Sequence, residues 1–530
     1  MSGGRHEDDS DGDQVGGGGA WGADEGDTAW VYPRIVDKDD DARRRIVVRS
    51  DLRAAVDEAT AALASVGETW TRGGQLVDVV TTAEGPTIRH MTPAALRLRL
   101  ADAAEWCRVE SHEGKPKLVL TRPPMEIAVA VAEAGTWSGI HPLVGIGAGP
   151  LVRSDGTVAS GRGYDPQTRW WSSADPTAWL PDPGSLCREV AEVALDDLVA
   201  LTADYPVASE ADRSALLTGL LTAVVRTAID GPVPLHLVTA TTRGSGKSLW
   251  IDVVARLSTG EAATRTPHAT DEDEERKRIM AIIRSGAPVV LIDNIAGLLG
   301  SASLDALLTS RVWSDRVLGT SDTVRLPVAS SWFATGNNVI VRGDLIRRTI
   351  PCRLVPQTER PEEREGLPDI EGEAVCDRDR LVKAALTVVL SYLRERERVT
   401  VRPYGSYSAW SRMVREPLIW LGRADPLDAQ DGLRGMADVA TDTATSLLGA
   451  IRAVWVDGTW TARDLGSAQQ GSDLRGAIDE AGLVRGRDVD AVRLGYWLRR
   501  LRGRVLAGLT LEDCGTGHGN VRRWRVSRSV

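Results

Sequence analysis

The sequence predicts an α/β protein built on a parallel sheet, and three stretches carry that prediction. Leu235-His-Leu-Val-Thr-Ala240 has strand character and runs directly into a glycine-rich turn that opens a helix. Pro288-Val-Val-Leu-Ile-Asp293 is a continuous apolar run ending in an acid, as a parallel strand buried on both faces should read. Ser331-Trp-Phe-Ala-Thr335-Gly-Asn337 is a third such run. An N-terminal α+β accessory domain and a small basic C-terminal module flank this core.

The chain has 530 residues, room for three or four domains, and its 42% hydrophobic and 26% charged content excludes wholesale disorder and fibrous classes. It contains no apolar run long enough to span a membrane and no secretory-type leader, so a cytoplasmic protein without a membrane partner is expected. The five cysteines are scattered, without metal-ligand spacing. Net charge is −10, but residues 1–41 hold twelve acids against three bases, whereas residues 481–530 hold eleven arginines against four acids. The acidic total therefore says nothing against a nucleic-acid partner.

Residues 1–41, rich in Gly, Asp and Ser, are expected to be a disordered acidic tail. Residues 42–184 read as the accessory domain, with a helix near 51–65, a strand at Gln75–Val80, and turns at Gly163–Pro166 and Pro181–Gly184. The core spans 185–425. Its opening helical stripes run Leu186 to Leu201 and Leu216 to Val225, the second stopped by Asp230-Gly-Pro-Val-Pro234. A linker helix region covers 426–460.

The glycine-rich turn is Thr241-Thr242-Arg243-Gly244-Ser245-Gly246-Lys247-Ser248, which follows the GxxxxGK(S/T) phosphate-loop pattern with Thr241 in place of the first glycine. Gly244 and Gly246 let the backbone wrap a phosphate, and the amides at the helix start supply donors. Lys247 would reach the β- and γ-phosphates of a nucleotide, and Ser248 would bind Mg²⁺ together with Asp293, the acid at the tip of a neighbouring strand. Asn294 follows Asp293 where a general base is expected, and an amide cannot take a proton from water. Either another carboxylate polarises the water, or hydrolysis is slow and the nucleotide acts as a switch. Asn337 at the third strand tip suits a γ-phosphate sensor. Arg347 and Arg348, just beyond it, suit arginine fingers acting across a subunit interface.

Between the second and third strands, two short β runs around Gly319–Asp322 signal a hairpin. Arg316 and Arg325 on it would face a nucleic-acid phosphate backbone, or else belong to an ordinary surface hairpin.

With these strings on view (TTRGSGKSLW, PVVLIDNIAGLL, RVWSDRVLG, WFATGNN, RGDLIRRTIPCRL), residues 185–425 resemble the AAA+ P-loop ATPase core of superfamily 3-type helicases. They are most similar to the primase-associated helicases of phages, plasmids and integrated mobile elements. GSYSAWSRMVREPLIWLGRADP (405–426) and DGTVASGRGYDPQT (155–168) add to the likeness. The resemblance implies ATP and Mg²⁺ at Lys247, Ser248 and Asp293, Asn337 as sensor, and Arg347 or Arg348 as finger in a ring, expected to be a hexamer. It implies single-stranded or forked DNA as substrate. Residues 42–180 lack paired metal-binding acids with a partnering His, so any primase is expected to be a separate chain.

Residues 461–530 read as helix, helix, longer helix, then a hairpin of two β runs, Val505–Glu512 and Val521–Val526, the order of a winged helix. Val492, Leu494, Trp497, Leu498 and Leu501 form the apolar stripe of the third helix. Arg493 and Arg500 on that helix, and Arg522 and Arg523 on the second β run, are the expected DNA contacts. A winged helix also serves in protein docking. The sequence thus predicts an ATP-dependent DNA helicase or translocase for replication of a mobile element. The alternatives are a DNA-binding AAA+ switch (initiator or defence regulator) with slow hydrolysis, and a protein-remodelling ATPase.

Overall fold

The computed structural model describes residues 44–82, 85–269, 271–316, 323–358, 360–363, 369–395, 399–469, 471–486, 488–517 and 521–528, without the side chains of 436–441 and 500. The expected acidic tail and the hairpin tip at 317–322 lie outside the described residues. The chain divides into Met1–Arg44, of which only Arg44 is described, and a compact unit from Arg45 to Val530.

The accessory region is α+β. β1 (Arg44–Val47) leads to α1 (Leu52–Val66), which Asp51 caps by accepting from the Ala54 amide and left-handed Gly67 ends. β2 (Trp70–Arg72), β3 (Gln75–Thr82) and β4 (Gly85–His90) form an antiparallel meander. α2 (Pro93–Ala103), β5 (Ala104–His112), β6 (Lys115–Leu120) and α3 (Met125–Ala132) follow, and β5 lies between β1 and β6. Trp106, Leu96, Leu100 and Ile127 fill the core between helices and sheet.

A third small sheet holds β7 (Gly145–Gly147), β8 (Gly163–Asp165) and β9 (Trp170–Ser172) in the order β7-β9-β8. Gly163–Asp165, expected as part of a turn, is therefore a strand. Tyr164 pairs with Trp171, and the bend falls after it, where Asp165 accepts from the Thr168 amide.

The core begins with α4 (Arg188–Ala200) and α5 (Glu210–Val224). Next come β10 (Leu235–Ala240), α6 (Lys247–Thr259), β11 (Thr264–Pro267), α7 (Glu272–Ser285), β12 (Val289–Leu299) and α8 (Ala302–Leu307). A hairpin of β13 (Val312–Arg316) and β14 (Thr323–Pro327) precedes β15 (Ser331–Val341) and β16 (Thr349–Leu354). The five long-range strands form one parallel sheet in the order β11-β12-β15-β10-β16.

Period-two alternation assigns the two faces of this sheet. On β10, Leu235 and Leu237 join Val290, Ile292, Trp332 and the α7 residues Ile279 and Ile283. Val238 and Ala240 join Leu291, Phe333, α5, α6 and α10 (Arg378–Arg394) on the other face. With both faces covered, every residue of β10 is buried, which is why the segment is mostly apolar, and His236 within it is held against Thr222 Oγ1 at 3.2 Å.

α9 (Ile370–Cys376) precedes α10. Beyond it, α11 (Ser408–Trp410) and α12 (Glu416–Trp420) join through one π-helical turn at Ser411–Arg415. Here the 405–426 string acquires a structural role. Fully buried Arg415 forms a bidentate pair with Asp425, and Trp410 Nε1 donates to Thr222 Oγ1 at 2.8 Å, tying the segment to α5.

α13 (Gln430–Trp455) runs from the core, where Leu433 packs, to the C-terminal module, where Leu447, Leu448 and Ile451 pack. That module contains β17 (Trp460–Thr461), α14 (Ala462–Gly466), α15 (Asp473–Glu480), β18 (Val484–Arg485), β19 (Asp488–Val489) and α16 (Ala491–Leu501), then β20 (Val505–Leu506), β21 (Leu509–Thr516) and β22 (Arg522–Arg528).

Two expectations change here. Val492 is 68% exposed, so it leaves the apolar stripe, and the buried set on α16 is Leu494, Leu498 and Leu501. The run 505–512 breaks at Ala507-Gly508, both at positive φ, into two strands that pair back on each other. No helix among the described residues is long and apolar enough to cross a membrane.

Candidate active site

The site lies where β10 ends, beside the middle of β12 and β15, which run on to Leu299 and Val341, so Asn337 is not at a strand tip. Ala240, the last residue of β10, is in register with Asn337 of β15, so the loop that follows it emerges beside that side chain. Gly244 and Gly246 hold φ of 69° and 76°, torsions that any other residue adopts only at a cost. The loop closes on itself: Ser245 Oγ donates to the Thr242 carbonyl at 2.8 Å, and Lys247 Nζ donates to it at 3.2 Å. Gly246 is the N-cap of α6 and has no side chain to cap the first-turn amides, which leaves a donor set suited to an anion. Thr241 and Arg243 are exposed, and Thr242 is half-buried.

Asp293 is held from three sides. Ser248 Oγ donates to its Oδ1 at 2.8 Å, Thr335 Oγ1 donates to the same oxygen at 2.6 Å, and Arg265 Nη1 donates to Oδ2 at 2.6 Å. Burial pushes the carboxyl pKa up, but these donors together hold it below the usual carboxylate range. The Lys247 pKa is lowered too: burial pushes it down while Asp293 partly pulls it back up.

A β-bulge sets this geometry. Ile292 pairs with Ala334 and Ile295 with Gly336, so Asp293 and Asn294 together face Thr335. Asn294 sits at φ 56°, the left-handed region that favours Asn over larger side chains, and its amide donates to Thr335 Oγ1 at 3.3 Å. β12 therefore does not stop at Asp293 but bulges there and continues to Leu299. Gly336 is required by close approach, since a β-carbon there would lie 2.4 Å from the Ile295 carbonyl oxygen.

Asn337 Oδ1 is buried without a hydrogen-bond partner among the described residues. A buried acceptor left in that state marks a place for a donor from a ligand or water. Together with the positive-φ glycines and the carboxylate–hydroxyl pair, it makes the residues fit a Mg²⁺-nucleotide. One side chain has to yield, since a β-carbon on Gly244 would lie 2.0 Å from Glu362 Oε2, placing an acid against the loop.

Arg347 and Arg348 end the turn between β15 and β16 and differ in freedom. Among the described residues Arg347, 66% exposed, pairs with Asp344, while Arg348, 14% exposed, donates to the Asp305 carbonyl and forms ion pairs with the carboxylates of Asp305 and Asp344. Within one chain their partners are not Asp293 or the loop. Arg316 and Arg325 lie on the exposed face of the β13–β14 hairpin, where Arg325 is opposite Ser314. Arg493 is exposed beside Asp490, Arg522 lies 3.7 Å from Asp513, and Arg523 is exposed. The Arg500 side chain lies outside the described residues.

Sequence reasoning missed Arg265, its second partner Asp252, the anchoring role of Thr335, and Tyr205, whose ring packs against Gly246 and edge-on to Trp250 at 5.4 Å. Only the WFATGNN string contained a readable signal, a hydroxyl two residues before the sensor.

No family model matches the chain, and no curated protein matches it. Similar solved structures include the C-terminal region of NrS-1 (10% identity, TM-score 0.37, covering 88% of this chain and 98% of that one). The SCCmec type IV Cch helicase matches at 11% identity and TM-score 0.28 over 87% and 97%, and the JCV helicase at 12% and 0.21 over 47% and 69%. Likeness of this size assigns neither family nor activity.

Proposed function

We propose that the protein is an ATP hydrolase that acts on DNA as a helicase or translocase, assembled as a ring in which Arg347 reaches the nucleotide of a neighbouring subunit. The observation that carries this reading is the convergence of Lys247 and Ser248, just after β10, with Asp293 and Asn337 on the adjacent strands β12 and β15. The loop amides and Lys247 would receive the phosphates. Ser248 and Asp293 would hold Mg²⁺, which neutralises charge on the phosphate oxygens when bound. Thr335 fixes the rotamer of Asp293, and Asn337 Oδ1 accepts from the attacking water.

The exposed arginines on the β13–β14 hairpin and on the C-terminal module are the proposed DNA contacts, and replication of a mobile element is the setting the sequence resemblance implies. A second reading, an ATP switch with slow turnover, is favoured by Asn294, which leaves the usual base position without an acid.

Steady-state ATPase with and without single-stranded DNA separates the two. DNA stimulation and strand displacement support the motor, whereas nucleotide-dependent assembly with slight turnover supports the switch. Lys247→Ala is expected to abolish nucleotide binding or turnover, and retained ATPase would remove the loop from the mechanism.

A further inference from the structure

At the opposite end of β10 from the loop, a cavity of about 520 Å³ opens between the accessory region and the core. Arg153, Arg169, Arg226 and Arg311 line it, with Asp230 the one acid among its described lining residues. The 155–168 string, unused by the proposed chemistry, builds one side. Asp165, 4% exposed, pairs with Arg153 at 2.7 Å and accepts from the Thr168 amide, which fixes the turn leading to Arg169.

The four guanidinium groups are unequally compensated. Arg153 has Asp165 and Arg311 has the exposed Asp230 at 2.6 Å. Arg226 is only 8% exposed and bonds three carbonyls, those of Ile229, Gly231 and Val328, and among the described residues it has no ion pair. Burial lowers its pKa to about 10, which leaves it charged at neutral pH. Arg169 is exposed, makes no ion pair among the described residues, and is held at φ 60°. A bulky residue in that region persists where the surrounding structure dictates it, a pattern that clusters at ligand sites. Four cations against two carboxylates on polar walls do not suit an apolar ligand. Guanidinium groups pair instead with phosphate oxygens through two parallel hydrogen bonds.

We propose that this cavity is a second anion site, which takes the oxygens of phosphate groups either on a nucleic-acid strand or on a free polyphosphate. Its position favours continuity with the hairpin, since on its wall Arg311 immediately precedes β13, Pro327 ends β14, and Val328 and Ala329 follow it. The proposal does not rest on nucleotide binding at Lys247.

The test uses the full chain carrying Lys247→Ala, which silences the loop, with and without Arg169→Gln plus Arg311→Gln. Both arginines are exposed, and neither belongs to the catalytic site. With labelled oligothymidine in anisotropy titrations, the double change is expected to reduce the slope of log affinity against log salt by about 1.4, two single-strand phosphate contacts. That result identifies a nucleic-acid strand. With inorganic tripolyphosphate in calorimetry, a loss of about tenfold or more on the same change identifies a free polyphosphate. Arg169→Glu alone, which breaks no ion pair, must weaken the responding probe as well. In the chain retaining Lys247, basal ATPase without DNA stays unchanged. If both probes bind the substituted and parent chains equally, the site does not exist.

Discussion

Arg265 reaches Asp293 from the neighbouring strand, its Nη1 donating to Oδ2 at 2.6 Å while its other nitrogen bonds Asp252. A guanidinium on the carboxylate that would hold Mg²⁺ competes with the metal for the same oxygen. Arg265→Gln is therefore expected to lower the Mg²⁺ concentration needed for half-maximal nucleotide binding, by roughly two- to fivefold at a partly exposed pair. A Mg²⁺ titration with a fluorescent nucleotide reads this directly, and an unchanged midpoint rejects the competition.

Asn294 is explained by its backbone. At φ 56° inside the bulge, glycine should be accepted, whereas a β-branched residue should cost about 1–2 kcal/mol. Asn294→Gly should keep the urea midpoint and Asn294→Val should lower it. Equal midpoints would show that the bulge does not need a left-handed residue.

Arg347 and Arg348 should separate in experiment. Arg348→Ala removes a hydrogen bond to the Asp305 carbonyl and ion pairs to Asp305 and Asp344, and should destabilise the fold by about 1–2 kcal/mol. Arg347→Ala should leave melting unchanged yet stop turnover in the assembled protein, with partial recovery on mixing with Lys247→Ala subunits. Mixed assemblies that stay inactive contradict a finger acting between subunits.

Stability should fall on mild acidification. His236 is fully enclosed, and burial pushes its pKa down to about 3; His90 is pushed down to about 4 by burial and by Arg284 and Arg72. A depressed histidine pKa means the unfolded chain binds the proton first. The stabilisation is thus complete above the unfolded value near 6.5 and is lost as pH falls towards the folded value. For His236 the slope is about 1.4 kcal/mol per pH unit in that window. Urea melts from pH 7 to 5 should show the loss, and His236→Gln, which keeps a polar contact for Thr222, should flatten it. Asp293 acts lower, its contribution disappearing only as pH drops through its depressed pKa.

Several features are legible in the sequence alone. The extent of β10, the break at Asp230–Pro234 and the glycine loop follow from short-range pattern, and their bounds agree with the structure at Leu235–Ala240 and Lys247. Arg265 was not legible. It lies 28 residues from Asp293 in a four-residue strand without periodic signal, and only the placement of β11 beside β12 brings the two together. Val492 was misplaced because a helical stripe read from spacing includes positions at its edge, and only the packing partner decides which of them it covers.

The amino-acid order alone determined what depends on neighbouring torsions: a strand, two left-handed glycines and a helix start that point amides, a lysine and a hydroxyl one way. Tertiary structure decided what faces them. Which acid, arginine and amide converge depends on strand order and on a one-residue bulge, and these are set by burying both faces of the sheet between residues far apart in the chain.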